Sequence, residues 1–146
     1  MNIMNKTALL LLLGSMLNVA SAANNKTDRV QGLPSCAPLP SKWYSGFLNV
    51  RPTAKQLHYI FIESLSSPST DPIVIWFNGG PGCSSLLGLF QENGPFVIDD
   101  GETIIKPNPF PWNREANLLY IESPAGVGFS YSTDEQDSDF IHTDLT

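Results

Sequence analysis

Two apolar runs without alternation stand out along the chain, Pro72-Ile73-Val74-Ile75-Trp76-Phe77 and Asn117-Leu118-Leu119-Tyr120-Ile121-Glu122. Strands buried on both faces read this way, because every side chain then meets apolar surroundings. Each run stops abruptly in a glycine-rich segment. Asn78-Gly79-Gly80-Pro81-Gly82 follows the first, and Ser123-Pro124-Ala125-Gly126-Val127-Gly128 follows the second. Upstream, Tyr44 to Val50 and Leu57 to Leu65 alternate aromatic or β-branched residues with polar ones, with Arg51-Pro52-Thr53-Ala54 between them. That pattern predicts a β-hairpin. Leu86, Leu87, Leu89 and Phe90 fit a short helix that stops at Asn93-Gly94-Pro95. Residues 23–43, broken by Pro34, Pro38 and Pro40, predict an irregular N-terminal arm. Ser66 to Asp71 predicts a turn-rich connector. Strand, helix and strand, with glycine loops at the strand ends, point to an α/β sheet.

The first residues follow a different pattern. Lys6 precedes an apolar run from Ala8 to Val19, and Ala20-Ser21-Ala22 closes it with small residues. A basic start, a short apolar core and such an end describe a secretory signal peptide, residues 1–22. Gly14, Ser15 and Asn18 interrupt the run, which falls short of the roughly 18 apolar residues of a spanning helix. Cleavage after Ala22 leaves 124 of the 146 residues and removes Lys6, so the formal net charge moves from −6 to −7. An acidic chain of that length suits one domain and argues against nucleic acid as a partner, because phosphate binding needs a basic surface. No later segment is long and apolar enough to span, so no membrane partner is expected once the signal is cleaved. Asn25-Lys26-Thr27 is a glycosylation sequon just beyond the cut. Cys36 and Cys83 are the two cysteines, and in an oxidising compartment each can enter a disulfide. Their wide spacing leaves the connectivity open.

The first glycine segment carries the chemistry. Glycines at a strand end let the backbone approach a ligand and turn its N–H groups outward. An oxyanion hole needs such donors, fixed in place before charge develops on a carbonyl oxygen. His58 falls in the second hairpin strand, where a histidine is usually structural. Ser84 and Ser85 follow the glycine segment and suit the start of a helix better than a nucleophile's place.

Several runs occur together and in order. They are Tyr44-Ser45-Gly46-Phe47, Phe61-Ile62-Glu63-Ser64, Trp76-Phe77-Asn78-Gly79-Gly80-Pro81-Gly82-Cys83-Ser84-Ser85, Glu92-Asn93-Gly94-Pro95, Pro111-Trp112-Asn113 and Ala116-Asn117-Leu118-Leu119-Tyr120-Ile121-Glu122 running on to Tyr131. The chain thereby resembles the serine carboxypeptidases over nearly all of residues 40–140. The resemblance implies an α/β-hydrolase fold and a secretory-pathway location, either lysosomal or vacuolar, or extracellular. It also implies peptide or protein C-termini as substrate, with no metal and no cofactor. Carried over residue by residue, Gly80 is expected to supply one oxyanion-hole N–H. Asn78 and Glu92 are expected to hold the substrate's C-terminal carboxylate, with Trp76 and Gly79 shaping the site. An Asn amide can donate to a carboxylate. A Glu shares a hydrogen bond with one only when either is protonated, which favours binding in acid. The Gly80-Pro81 bond is a candidate for the cis form. Cys83 resembles a half-cystine whose partner lies beyond Thr146, and no family role falls to Cys36.

The family's nucleophile elbow, Gly-Glu-Ser-Tyr-Ala-Gly, does not occur in the sequence. Gly128-Phe129-Ser130-Tyr131-Ser132 comes nearest to the general Gly-x-Ser-x-Gly pattern but lacks the second glycine. His142 lies four residues from the last residue, too late to be folded into a site. Residues 44–146 therefore read as the N-terminal part of an α/β-hydrolase domain, cut before the elbow and expected to be inactive alone. Two alternatives are a secreted module that binds peptide carboxylates without catalysis, and an acyltransferase of the same superfamily.

Overall fold

The computed structural model describes residues 28–34, 36–99, 101 and 104–134. The expected signal, Asn25 and His142 lie outside them. Strands β2 (Trp43–Val50) and β3 (Lys55–Ile62) form the expected hairpin, in register from Trp43 opposite Ile62 to Val50 opposite Lys55. The second strand stops three residues earlier than the alternation suggested. Residues 63–71 leave the sheet, where the Ser64 hydroxyl donates to the Asp71 carboxylate at 2.5 Å. Asp71 in turn accepts the Ser67 N–H at 2.8 Å. The N-terminal arm is not wholly irregular, because β1 (Arg29–Val30) pairs with the start of β2.

Strands β4 (Ile73–Trp76) and β7 (Asn117–Ile121) lie parallel, with Ile73 opposite Asn117 and Trp76 opposite Tyr120. On its other side β7 runs antiparallel to β3. The sheet order is β1-β2-β3-β7-β4, with β8 (Tyr131–Ser132) pairing the start of β3. Between β4 and β7 the chain makes a helical segment, then a small antiparallel pair, β5 (Phe96–Val97) with β6 (Lys106–Pro107). A 3₁₀ turn, Trp112–Arg114, precedes β7. The Asn117 amide fastens that crossover. It accepts from the Ser64 N–H at 3.0 Å and donates to the carbonyls of Asp71 and Pro68 at 3.0 and 3.1 Å.

The core lies on one face of the sheet, where Trp43, Ile62, Leu118 and Tyr120 pack against Leu89 and Phe96. Burying a side chain of this size is worth about 1.5–3 kcal/mol, so this face holds the β4–β7 crossover onto the sheet. The two apolar runs behave differently, and here the structure corrects the sequence reading. β7 has neighbours on both edges and is largely buried. β4 was expected to be buried on both faces, yet Ile73 and Ile75 are 60% and 44% exposed while Val74 and Trp76 are half-buried. β4 ends the sheet order, and among the described residues only one of its faces is covered, so its hydrophobicity exceeds its burial.

The helical segment also differs from expectation. Leu86 and Leu87 begin it as an α-turn, but Gly88–Glu92 continues as a π-helical turn, with the Asn93 N–H donating to the Gly88 carbonyl at 2.9 Å. The Gly88 N–H is drawn out of the helix to the Asn78 side chain at 3.1 Å. Widened turns of this kind recur at functional sites.

The asymmetry between the strands is measurable in the purified chain. Leu118→Ala should cost about 2–5 kcal/mol in denaturant unfolding, as for a large-to-small change in a packed core. Ile73→Ala should cost less than about 1 kcal/mol, because its side chain is mostly in water already. Equal costs would mean that β4 is buried after all.

Candidate functional site

Because β4 and β7 are parallel neighbours, their two glycine loops leave the sheet side by side at the strands' C-terminal ends. Open α/β sheets bind ligands there, outside the carboxyl ends of the strands. Residues 78–85 form the first loop and residues 122–130 the second.

Asn78 is the most constrained polar group in the first loop. Its amide oxygen accepts from the Trp76 indole N–H at 2.8 Å and from the Gly88 N–H at 3.1 Å. A carbonyl oxygen has two lone pairs, and both are occupied. This fixes which way the amide points and leaves its NH₂ as a donor not used by these two bonds. The Trp76 ring packs edge-on against Trp112, with centroids 5.7 Å apart. A Cβ at position 88 would lie 2.7 Å from Cε2 of Trp76, so only glycine allows the indole to reach Asn78. The Trp76 indole therefore holds the Asn78 amide in a fixed orientation. Glu92 ends the π-helical turn that Gly88 begins, and it is exposed. Burial, and then the charge of Glu92, push the Tyr120 hydroxyl well above the usual phenol range. Tyr120 stays protonated and donates to the Asn93 side chain at 2.7 Å.

Gly80 holds φ at +137° and Gly82 at +93°, backbone that other residues rarely adopt. A Cβ on Gly80 would lie 3.0 Å from the amide nitrogens of both Gly82 and Cys83. The loop is thus folded tightly around that residue. Gly79 and Gly80 are exposed, and among the described residues no carbonyl accepts from the Gly80 N–H. The Gly80-Pro81 bond is cis. Cys83 is exposed, Cys36 is half-buried, and both thiols are free, so the two do not pair with each other.

Sequence reasoning missed the group that ties the two loops together. Glu122 is 0% exposed. One carboxylate oxygen accepts from the Ser84 hydroxyl, and the other accepts from His58 Nδ1 at 3.0 Å and from the Phe129 N–H at 2.9 Å. The Ser84 hydroxyl also accepts the Leu86 N–H at 3.2 Å, as a helix-starting serine does. Ser85 donates to the Ile121 carbonyl at 2.6 Å and accepts from the Asn78 N–H at 3.1 Å. The available signal was a carboxylate closing a buried strand immediately before a glycine loop.

Ser45, His58 and Glu122 have the connectivity of a catalytic triad, since the Ser45 hydroxyl meets His58 Nε2 at 2.8 Å. They lack its other requirements. Ser45 sits in the middle of a flat strand rather than on a sharp elbow, and its own N–H is spent on the Asp28 carbonyl at 2.8 Å. His58 is 7% exposed and is flanked by the Phe47 and Phe129 rings, at 5.5 and 5.2 Å. Ser84 donates straight to a carboxylate with no imidazole between them, unlike the nucleophile of a Ser–His–acid triad.

Comparison with known proteins places this geometry in a family. The profile of the serine carboxypeptidase family matches residues 34–146, and the chain belongs to that family. It is 51% identical over 128 residues to lysosomal protective protein from Mus musculus, covering 87% of this chain and 27% of that protein. It is 48% identical over 126 residues to a serine carboxypeptidase, ctsa-3.1, from Caenorhabditis elegans, covering 84% and 22%. The chain thus spans about a quarter of the length of these relatives. Among solved structures, a prohormone-processing carboxypeptidase from Saccharomyces cerevisiae, Kex1Δp, superposes with a TM-score of 0.54 at 27% identity. That match covers 68% of this chain and 23% of the yeast chain. The sheet is accordingly part of an α/β-hydrolase fold.

Gly88→Ala tests the link between the helical turn and Asn78. The added methyl should displace the Trp76 indole and quench or shift its fluorescence, at a cost of about 1–3 kcal/mol in stability. A spectrum and unfolding midpoint identical to the parent's would show that Trp76 is not held there.

Proposed function

We propose that this chain supplies the substrate-recognition part of a serine-type carboxypeptidase, which releases C-terminal residues from peptides. The observation that carries the reading is the Asn78 amide. With its oxygen committed to Trp76 and Gly88, its NH₂ is a pre-oriented donor pair beside the oxyanion loop. A free α-carboxylate is the group such donors suit. Glu92, on the same turn as Gly88, adds a second contact whenever it or the substrate carboxylate carries a proton. The Gly80 N–H, without an acceptor among the described residues, donates to the oxygen of the scissile carbonyl as negative charge develops there.

In the complete reaction a serine attacks that carbonyl, a histidine takes its proton and returns it to the leaving group, and an aspartate orients the histidine. The sequence holds no elbow of the required form. We therefore assign this chain the binding of substrate and oxyanion, and no turnover of its own. Cys83, exposed at the loop, is assigned a disulfide to a cysteine outside this chain. The signal segment and the sequon at Asn25 assign the protein to the secretory pathway.

Titration of the purified chain with an N-acetyl dipeptide, as its free acid and as its C-terminal amide, tests the proposal. The acid should bind and the amide should not. Asn78→Ala should weaken binding by at least about tenfold, since a hydrogen bond to a charged group is worth about 1.5–3 kcal/mol. Affinity should fall as the pH is raised, and Glu92→Gln should flatten that dependence. Equal binding of acid and amide would overturn the carboxylate assignment. Incubation of the same peptide with the chain should release no amino acid, and a fluorophosphonate probe should label neither Ser45 nor Ser84.

A further inference from the structure

We infer that Glu122 is the positioning residue of the oxyanion and carboxylate loop. Its buried carboxylate acts as a clasp that fixes residues 78–85 against the second glycine loop and β3. The inference rests on the proposed role of Asn78 and Gly80, but its structural half stands apart from any ligand.

Three elements meet on this one side chain. The Ser84 hydroxyl comes from the first loop, the Phe129 N–H from the second, and His58 Nδ1 from β3. With the His58 proton on Nδ1, all three are donors and His58 Nε2 is left to accept from Ser45. Three donors on two oxygens match an ionised carboxylate. A carboxamide would turn an N–H₂ toward at least one of them. The backbone around the clasp is built to the same end. The Ser130 hydroxyl donates to the Glu122 carbonyl at 2.6 Å and accepts the His58 N–H at 2.8 Å. Gly128 holds φ at +54°, and a Cβ there would overlap the Glu122 carboxylate, so the second loop makes room for this one group.

The clasp reaches the site through two consecutive serines. Ser84 is held by Glu122, while Ser85 is held by the Ile121 carbonyl and takes the Asn78 N–H. Asn78 and Ser84 bracket the Gly79–Cys83 turn, whose glycines have little stiffness of their own. Fixing both ends of the turn is what keeps the Gly80 N–H aimed at one point. Glu122 therefore acts on the ligand only through this loop, and it touches neither substrate nor reacting atoms.

Amide hydrogen exchange on the full chain, without ligand, tests the clasp directly. In Glu122→Gln, the hydrogen-bonded loop amides of Asn78 and Cys83 should exchange at least about tenfold faster, about 1.4 kcal/mol of lost protection. Amides in the β3–β7 ladder, such as Ile60 and Tyr120, should exchange at the parent rate. Ser84→Ala opens only the first-loop arm and should speed the same loop amides without affecting Phe129. Because both changes break the Ser84–Glu122 bond, the double variant should exchange no faster at Asn78 and Cys83 than Glu122→Gln alone. Should Glu122→Gln fail to fold, Ser84→Ala alone decides. Loop exchange unchanged from the parent in Ser84→Ala overturns the inference, and so do additive effects in the double variant. Affinity for the N-acetyl dipeptide acid should fall in step with loop exchange in both single variants, and faster exchange with unaltered affinity would refute the positioning role. If the parent chain fails to bind the dipeptide acid, the recognition reading of Asn78 fails with it, while the exchange data still decide whether the clasp exists.

Discussion

A carboxylate removed from water needs a donor on every face that water would have occupied, and Glu122 meets that condition with donors from three separate stretches of chain. Burying an ion without such partners costs several kcal/mol. The network therefore forms only when β3, the Ser84 segment and the Phe129 segment have all reached their places. His58, Ser45 and Ser130 extend it across the sheet to β2. The two glycine loops gain a common reference point from this single group, and the geometry around Asn78 and Gly80 depends on it.

The sheet's connectivity makes that convergence available. Parallel pairing of β4 with β7 places two strand ends at the same edge, and antiparallel pairing of β7 with β3 brings His58 to the Glu122 N–H and side chain. Asn117 and Asp71 secure the far end of the crossover, so the near end is free to carry two glycine-rich loops. Rigid support and permissive loops are thereby divided between opposite ends of the same two strands.

Much of this was legible in the chain itself. The hairpin followed from alternation, and β7 from an apolar run that proved to have partners on both edges. The same kind of run misled at β4, because apolar character reports what a strand can pack against and not what covers it. The short helix was readable from Leu86, Leu87, Leu89 and Phe90, but its π-helical geometry was not. That geometry depends on the Gly88 N–H leaving the helix for a side chain ten residues away. Asn78 and Trp76 were recognisable through family resemblance, whereas their division of labour needed distances. Glu122 escaped notice because a charged residue after a buried strand usually faces solvent, and its three donors are distant in sequence.

The π-helical turn at Gly88–Glu92 sets the angular phase of every residue beyond it. An α-helix advances about 100° per residue, and one extra residue in a turn offsets every later side chain by roughly that much from the α-helical path. Glu92 stands at the end of that offset. The spacing between Gly88 and Glu92 is consequently a length specification more than a sequence one. Exposed positions such as Leu87 and Gln91 can vary in identity, while an insertion or deletion in the turn would swing the Glu92 carboxylate to another side of the segment.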